Sequence, residues 1–326
     1  MNYEQINQFK HYKNVCLIAH NEPDADALCS MIIFKNFLSA TFKVNVDIFA
    51  EYTTLPHNYD CLIENQNLNN GKNKYDCAVM MDAPKADRLG KFETLFLTAP
   101  NKLVIDHHAT NTFDKAKNFI SIASSTCEIV FDILKHFKYK FTKADYGMTY
   151  AGIVTDTNNL TAGAIGKHSF EIVGECVENV GIYPIYENFM LNNTKLNMQI
   201  LAKAIENAKF YEQGKIIVSH ISKLQAKAMH VTQDCYIGII NKLSTICGAW
   251  LVGFIYPKQG QYYVSMRGRG GFDVSKIAKA NNGGGHVGAA AYLSNSSLCK
   301  AKINLIKQFK TEFNTQDVNS QSVFRF

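Results

Sequence analysis

The chain has 326 residues, of which 47% are hydrophobic and 19% are charged, and this average composition excludes a disordered or fibrous protein. Its length is about twice that of a typical domain, so two domains are expected. The formal net charge of +6 favours anionic ligands but is too small for a protein that coats nucleic acid.

The nine cysteines are scattered, and no two of them form a C-x-x-C pair. This pattern indicates neither a disulfide framework nor a thiolate zinc site. The polar start of the chain is followed by an apolar run, residues 15–19, that is too short for a signal-peptide core or a membrane span. We therefore expect a cytoplasmic protein.

The first half of the chain alternates short apolar runs, rich in β-forming residues, with longer helical patterns. Such alternation is typical of βαβ units and predicts an N-terminal α/β domain with a parallel sheet and flanking helices. The predicted strands are residues 15–19, 44–49, 77–81 and 103–105, and the predicted helices are residues 28–38, 128–137 and 143–154.

The second half predicts a smaller C-terminal α/β domain. A helical stretch reaches residue 210, a strand follows at residues 215–221, and helical segments follow near residues 224–230 and 237–243. Aromatic and β-branched residues on both sides of a Pro/Gly break predict a hairpin of residues 250–256 and 262–267. The expected division is an N-terminal domain of residues 1–190, a helical linker of residues 191–210 and a C-terminal domain of residues 211–326.

Aspartate and histidine residues follow four apolar segments of the first half. Because parallel strands of an open α/β sheet end at one edge, and ligands bind beyond that edge, we expect these side chains to lie close together. They are His20, Asp24 and Asp26 after the first run, Asp82 after the third, Asp106, His107 and His108 after the fourth, and Asp156 after residues 152–154.

Carboxylates and imidazoles crowded at one edge indicate a divalent cation among them. Oxygen-rich ligands with few imidazoles suit Mn²⁺ or Mg²⁺ better than zinc. The set is large enough for two ions that share a bridging aspartate, and two such ions promote phosphoester hydrolysis. Each aspartate alone has a simpler interpretation as a helix cap, and Asp24 and Asp26 are candidates to cap the helix that follows them.

A glycine-rich segment late in the chain predicts a phosphate-binding loop. Consecutive glycines let backbone N–H groups converge on an anion, particularly in front of a helix. The predicted contacts are Gly283, Gly284, Gly285, His286 and the guanidinium of Arg267. A tight turn or a flexible linker is the alternative interpretation.

Five motifs together resemble those of the DHH/DHHA1 phosphoesterases, and most of all the short bacterial members known as nanoRNases or bifunctional oligoribonuclease and pAp phosphatases. The resemblance covers nearly the whole chain, with the motifs in the same order. They are the segment HNEPDADALCS from His20, Asp82, the Asp106-His107-His108 triplet, Thr155-Asp156-Thr157 and the final NGGGH from Asn282.

The resemblance implies two Mn²⁺ ions, with Mg²⁺ as the alternative metal. The implied ligands are His20, Asp24 and Asp82 for one ion, and Asp26, Asp82, His107 and Asp156 for the other. Asp82 is then the bridge. The resemblance further implies that Asp106 orients His107, and that His108 faces the substrate phosphate or protonates the leaving group.

In the resembling family the C-terminal domain folds over the metal site, which implies an active site in the cleft between the domains. Arg267 and residues 283–286 would then hold the nucleotide. The chain departs from the family at Cys29 and Asn282, where glycine is usual, although asparagine tolerates the positive φ that such a glycine adopts.

The expected function is hydrolysis of short oligoribonucleotides to mononucleotides, with removal of the 3′-phosphate of pAp. Hydrolysis of linear dinucleotides such as pApA is the alternative that the sequence does not separate from it. A family-II pyrophosphatase lacks the GGGH ending, and a non-catalytic nucleotide sensor should have lost some of the implied ligands. The expected partners are short RNA, pAp or dinucleotides and a second copy in a homodimer, without a membrane or a long duplex.

Overall fold

The computed structural model of the protein describes residues 2–315 except Thr54, Asn73, Ala162 and Asn192, and it omits the side chains of His57 and Asp234. The chain separates into two compact units, Met1–Asn192 and Asn193–Phe326. Residues 316–326 of the expected C-terminal domain lie outside the described residues.

The first unit contains a five-stranded parallel sheet, which confirms the predicted N-terminal architecture. Its strands are β1 (Asn14–Ala19), β2 (Asn45–Phe49), β3 (Cys77–Met81), β4 (Asn101–Asp106) and β5 (Phe119–Ile120). Their order in the sheet is β2-β1-β3-β4-β5. Because β1, β3 and β4 are neighbours, the residues that follow these three strands meet at one edge of the sheet.

Helices cover both faces of this sheet. They are α1 (Ala25–Phe42), α2 (Asp60–Ile63), α3 (Glu93–Thr98), α4 (Thr126–His136), α5 (Lys143–Asp156), α6 (Lys167–Asn179) and α7 (Ile182–Met190), with 3₁₀ segments at Tyr3–His11, His57–Tyr59 and Ala86–Phe92. The larger apolar core includes residues of α1, α4 and α5, and a second core on the other face includes Phe96 of α3. The strands are therefore apolar on both sides.

Helix α1 is the central helix of the first unit. By length and composition it is apolar enough to cross a membrane, but 67% of it is buried inside the unit. Its buried residues lie all round the helix, as expected for a helix enclosed by a core. Asp24 caps its start by accepting a hydrogen bond from the Ala27 N–H at 3.0 Å, so the capping interpretation of Asp24 is confirmed.

The second unit contains a six-stranded mixed sheet. Its strands are β6 (Lys209–Tyr211), β7 (Ile216–His220), β8 (Leu251–Lys258), β9 (Gln261–Gly268), β10 (Gly284–His286) and β11 (Ala289–Ser294), in the order β10-β11-β9-β8-β7-β6. Strands β7 and β8 pair in parallel and the other neighbours pair antiparallel. The predicted β8–β9 hairpin is confirmed.

The helices described beside the second sheet are α8 (Lys195–Glu206), α9 (Lys223–Ala228), α10 (Ile239–Leu243), α11 (Val274–Ala280) and α12 (Leu298–Thr315). Short 3₁₀ segments lie at Glu212–Gly214 and Gln233–Tyr236. Residues of α11 and α12 belong to one apolar core, and residues of α8 and α10 belong to another. Helix α8, expected as part of a linker, places Ile200 and Ala204 in that second core.

The glycine segment forms the edge strand β10, so the loop conformation expected for it is wrong, while its phosphate contact stays a prediction. Helix α11 ends at Ala280, before the glycines, and β10 pairs with β11. A Cβ on Gly283 would lie 2.2 Å from the Ala291 carbonyl oxygen, and a Cβ on Gly285 would lie 2.5 Å from that of Ala289. These two glycines therefore permit close pairing of the backbones, while Gly284 faces open space.

Candidate metal centre

Strand ends and helix ends of the first unit deliver the side chains of the candidate metal centre. His20 follows β1, Asp82 follows β3, and His107 follows β4. Asp24 and Asp26 lie at the start of α1. Asp156 is the last residue of helix α5 and not a residue that follows a strand, because residues 152–154 complete the helix that begins at Lys143.

The structure brings the sequence-predicted residues together in three overlapping groups whose ligand atoms lie within 4.8 Å of one another. The groups are His20, Asp24 and Asp82; Asp26, His107 and Asp156; and Asp82, His107 and His108. The first two groups correspond to the two ligand sets that the family resemblance implies. Asp82 links them, because it lies in the first group and 3.5 Å from His107 of the second.

The two imidazoles nearest Asp82 are oriented as cation ligands. His20 Nδ1 lies 2.9 Å from the Asn21 carbonyl oxygen, and His107 Nδ1 lies 3.2 Å from that of Ala123. A carbonyl only accepts, so we infer that Nδ1 carries a proton in both rings, and that Nε2 presents a lone pair whenever the ring is neutral, as it is in a metal ligand. Hydrogen-bonded Nδ1 atoms of this kind are common in metal-ligating histidines.

These lone pairs face carboxylate oxygens. His20 Nε2 lies 3.7 Å from Asp82 Oδ2, and His107 Nε2 lies 3.5 Å from both Asp82 Oδ1 and Asp156 Oδ2. Such distances exceed those of ordinary N–H···O hydrogen bonds, about 2.7–3.2 Å. Acceptors directed at acceptors repel one another unless a cation lies between them, so this donor set fits divalent metal.

Asp82 is held rigidly at the centre of the group. It is 2% exposed, and its backbone has a φ of +54°, which is uncommon for a residue with a side chain. Its N–H donates to the Ile105 carbonyl at 2.9 Å, and Thr126 Oγ1 donates to its Oδ1 at 2.8 Å. Strained backbone of this kind persists where surrounding contacts enforce it.

Asp26 is fully buried against the start of helix α4. It accepts hydrogen bonds from the Thr126 N–H at 2.7 Å and the Cys127 N–H at 2.9 Å, so it interacts with the first turn of α4 and not with its own helix. The positive end of the α4 dipole therefore stabilises this carboxylate. Sequence reasoning missed Thr126, although its position just after Ser125, the N-cap of α4, is a recognisable helix-start signal.

The crowding of carboxylates shifts their protonation. Burial, followed by the charges of neighbouring aspartates, raises the pKa of Asp26, Asp82 and Asp156. Burial acts in the opposite direction on His107, but Asp82, Asp26 and Asp156 raise its pKa to about 9, so without a metal ion a proton on Nε2 takes the place that a cation would occupy. The protein alone thus leaves excess negative charge in a buried space, which a divalent cation would neutralise.

Asp106 orients His108 and not His107, so that expectation is wrong. Asp106 Oδ1 lies 2.7 Å from His108 Nδ1, and its Oδ2 accepts a hydrogen bond from Asn111 Nδ2 at 2.6 Å. Residues two apart along extended chain point to the same side, which brings these two side chains together. Burial alone would raise the pKa of Asp106, but the hydrogen bond from His108 outweighs it and lowers that pKa. At His108 burial alone would lower the pKa, but the same hydrogen bond to Asp106 outweighs it and raises that pKa.

The other predicted site residues lie in the second unit. Arg267 Nε donates to Asn241 Oδ1 at 3.0 Å, and none of the ion pairs among the described residues includes this arginine. Ala289 pairs with Arg267 on one side and with His286 on the other. Directly opposed residues share a sheet face, so Arg267 and His286 lie on the same face with a small side chain between them. Exposed Arg269, Lys276 and Lys279 lie nearby in sequence.

Comparison with known proteins finds a family match within each of the two units. The family model for the DHH family, N-terminal domain, matches residues 14–155, and that for the DHHA1 domain matches residues 197–312. A probable bifunctional oligoribonuclease and PAP phosphatase NrnA of Streptococcus mutans is 23% identical over 308 residues, which cover 92% of this chain and 97% of that protein.

Solved structures share the fold. An exopolyphosphatase-related protein from Bacteroides fragilis superposes with a TM-score of 0.83 at 18% identity, covering 96% of this chain and 95% of that one. The exonuclease RecJ bound to manganese superposes with a TM-score of 0.59 at 11% identity, covering 98% and 97%. With the two family models together matching most of the chain, the chain belongs to the DHH/DHHA1 phosphoesterases, which hydrolyse phosphoester bonds.

Proposed function

We propose that the protein is a manganese-dependent hydrolase that cuts short oligoribonucleotides to mononucleotides and removes the 3′-phosphate of pAp. The observation that carries the proposal is the group around Asp82, in which imidazole lone pairs and carboxylates converge. The name of the Streptococcus mutans relative supports the choice of substrates. The proposal includes action in the cytoplasm.

In this proposal, His20, Asp24 and Asp82 hold one ion, and Asp26, Asp82, His107 and Asp156 hold the other. Bound Mn²⁺, or Mg²⁺ in its place, would supply Lewis acidity toward the phosphoryl group and a nucleophile at neutral pH. The protein itself supplies fixed positions for the ligands, because β1, β3 and β4 end side by side and hydrogen bonds from α4 hold Asp26 and Asp82.

His108 is the proposed proton donor to the leaving oxygen. Its Nδ1 is bound to Asp106, and Asn111 in turn holds Asp106. This chain of hydrogen bonds fixes the ring so that Nε2 carries the proton to be delivered, and Asp106 stabilises the charged ring. In the second unit, Arg267 is the proposed phosphate contact, because its guanidinium has no described carboxylate partner to compete with a phosphate.

The experiment that tests the proposal compares four substrates with the purified protein and Mn²⁺. They are an end-labelled RNA dimer, an RNA 24-mer, pApA and pAp, each with an EDTA control and an Asp82→Asn control. We expect mononucleotide from the dimer and phosphate from pAp, with the 24-mer nearly untouched. Activity confined to pApA would assign the protein to dinucleotide turnover, and no turnover of any substrate would overturn the proposal in favour of a nucleotide sensor.

A further inference from the structure

A cavity of about 340 Å³ lies in the second unit beside the turn between β8 and β9. Helix α9, the residues that follow it and the hairpin turn form its walls. Its lining includes four basic side chains, and none of the lining residues described is acidic. The basic residues are Lys223, Lys227, His230 and Lys258.

The lysines of this cavity have no carboxylate partner among the side chains that the structure describes, which do not include that of Asp234. No ion pair among the described residues includes Lys223, Lys227 or Lys258. Lys223 donates to the carbonyl of Gly260, which fixes its ammonium group at the cavity, and the Lys258 ammonium lies 5.1 Å from the centre of the Tyr263 ring. Positive charge is therefore concentrated here without an ion-pair partner among the described side chains.

A buried hydroxyl at the same cavity has no hydrogen-bond partner within the described part of the chain. Tyr236 lines the cavity and is 3% exposed, and its Oη has no partner among the described atoms. Its ring stacks on Tyr256 with 4.3 Å between the ring centres, so the phenol is held in place. Because an unpaired buried donor costs free energy, an anion that accepts this hydrogen bond would be favoured.

The charge of the whole second unit agrees with an anionic ligand. Residues 193–326 contain 17 Lys and Arg against 6 Asp and Glu, whereas residues 1–192 contain 17 against 22. The net charge of +6 thus conceals an acidic first unit, with its aspartate cluster, and a strongly basic second unit. A basic unit of this kind attracts polyanions and raises their rate of association.

We propose that this cavity binds a backbone phosphate of an oligonucleotide at a position remote from Arg267. Lys258 pairs with Gln261, which lies six residues before Arg267 in β9, a separation of about 20 Å along the strand. Tyr263 lies between the two positions, and alternation along β9 puts it on the same face as Arg267. The distance between the two positions suits an oligonucleotide longer than a dinucleotide, so the cavity favours RNA of several nucleotides. This inference rests on the function proposed above.

The test measures binding of fluorescein-labelled RNA to the full chain by fluorescence anisotropy in EDTA, which prevents cleavage. The probes are an RNA pentamer and an RNA dimer. The variant Lys227→Ala/Lys258→Ala is compared with Lys300→Ala/Lys307→Ala, which removes the same charge from exposed positions of α12. We expect the first variant to bind the pentamer about tenfold more weakly, with a salt slope lower by about 1.4 for two lost contacts, and the dimer to lose less affinity.

Tyr236→Phe separates a local contact from a general effect of charge. This variant keeps the ring and the net charge and removes only the unpaired hydroxyl, so we expect weaker pentamer binding without a lower melting temperature. Equal losses in the control variant, or unchanged pentamer binding in both cavity variants, would overturn the inference. Binding of inorganic phosphate is measured with the same variants. If they lose phosphate binding but keep their affinity for the pentamer, the cavity serves a small anion and the inference is also overturned.

The outcome of this test is distinct from that of the proposed function. Hydrolysis is measured with Mn²⁺, whereas the binding experiment contains none. If the pentamer binds through the cavity but no substrate is hydrolysed, the inference stands and the proposed function fails. If the RNA substrates are hydrolysed and the cavity variants bind the pentamer normally, the proposed function stands and the inference fails.

Discussion

Gly152 of helix α5 controls the position of Asp26, and its substitution by alanine tests the account of the site. A Cβ at Gly152 would lie 2.3 Å from Cys127 Sγ and 2.8 Å from Asp26 Oδ1. Ordinary contact begins at 3.4 Å, so the sulfur must withdraw by about 1.1 Å and the carboxylate oxygen by about 0.6 Å. Both atoms belong to buried residues, so the helices themselves must shift.

We expect Gly152→Ala to lower hydrolytic activity by about ten- to a hundredfold, because misplacement of a site group by about 1 Å costs about a hundredfold and the Asp26 oxygen is displaced by about 0.6 Å. Overpacking costs about 1–3 kcal/mol, and the better helix propensity of alanine offsets about 1 kcal/mol of it, so the free energy of unfolding falls by about 0–2 kcal/mol. The assays are turnover at saturating Mn²⁺ and urea denaturation in chelator.

Two further variants make this prediction specific. Gly174→Ala in helix α6 is the matched control, because nothing lies within 4 Å of the added Cβ and the residue is exposed; it should gain about 1 kcal/mol and keep its activity. Gly152→Ala/Cys127→Ala should recover stability but only part of the activity, since the contact with Asp26 remains. Full activity in Gly152→Ala would refute the reasoning that hydrolysis depends on the precise position of the Asp26 carboxylate.

Three other predictions concern the site and its surroundings. Thr126→Val removes the donor to buried Asp82 Oδ1 and should lower the free energy of unfolding by about 1–3 kcal/mol, measured by urea denaturation in chelator. Addition of Mn²⁺ should raise the melting temperature of the native protein but not that of Asp82→Asn, because metal binds only the folded site. Burial, then Lys302 and Lys209, lower the pKa of His220 to about 4; its unfolded pKa is near 6.5, so stability should fall as pH drops from about 6.5 toward 4. His220→Gln should lose that part of the pH dependence in a series of urea titrations.

The first sheet was predictable because its strands are buried on both faces. Runs such as residues 77–81 are wholly apolar, and this pattern predicts a buried strand. The site residues were predictable for the same reason, since His20, Asp82 and His107 follow such runs at once. Local sequence therefore located both the strands and the edge at which the polar side chains converge.

Elements that depend on tertiary pairing were not predictable in the same way. Strands β10 and β11 consist largely of glycine and alanine, which have low β propensity, and they form by pairing with each other and with β9. The contacts of Asp106 with His108 and of Asp26 with α4 depend on side-chain direction and on a partner a hundred residues away. The positive φ that asparagine tolerates is present at Asn282, where φ is +59°.

The central claim is that two divalent cations bind on either side of Asp82. The most direct measurement is an anomalous difference map, at the manganese absorption edge, of crystals grown with Mn²⁺. We predict two peaks, one beside His20 and Asp24 and the other beside Asp26, His107 and Asp156, with Asp82 between them. A map without a peak at these residues, or with a single peak that Asp82 does not contact, would contradict the account.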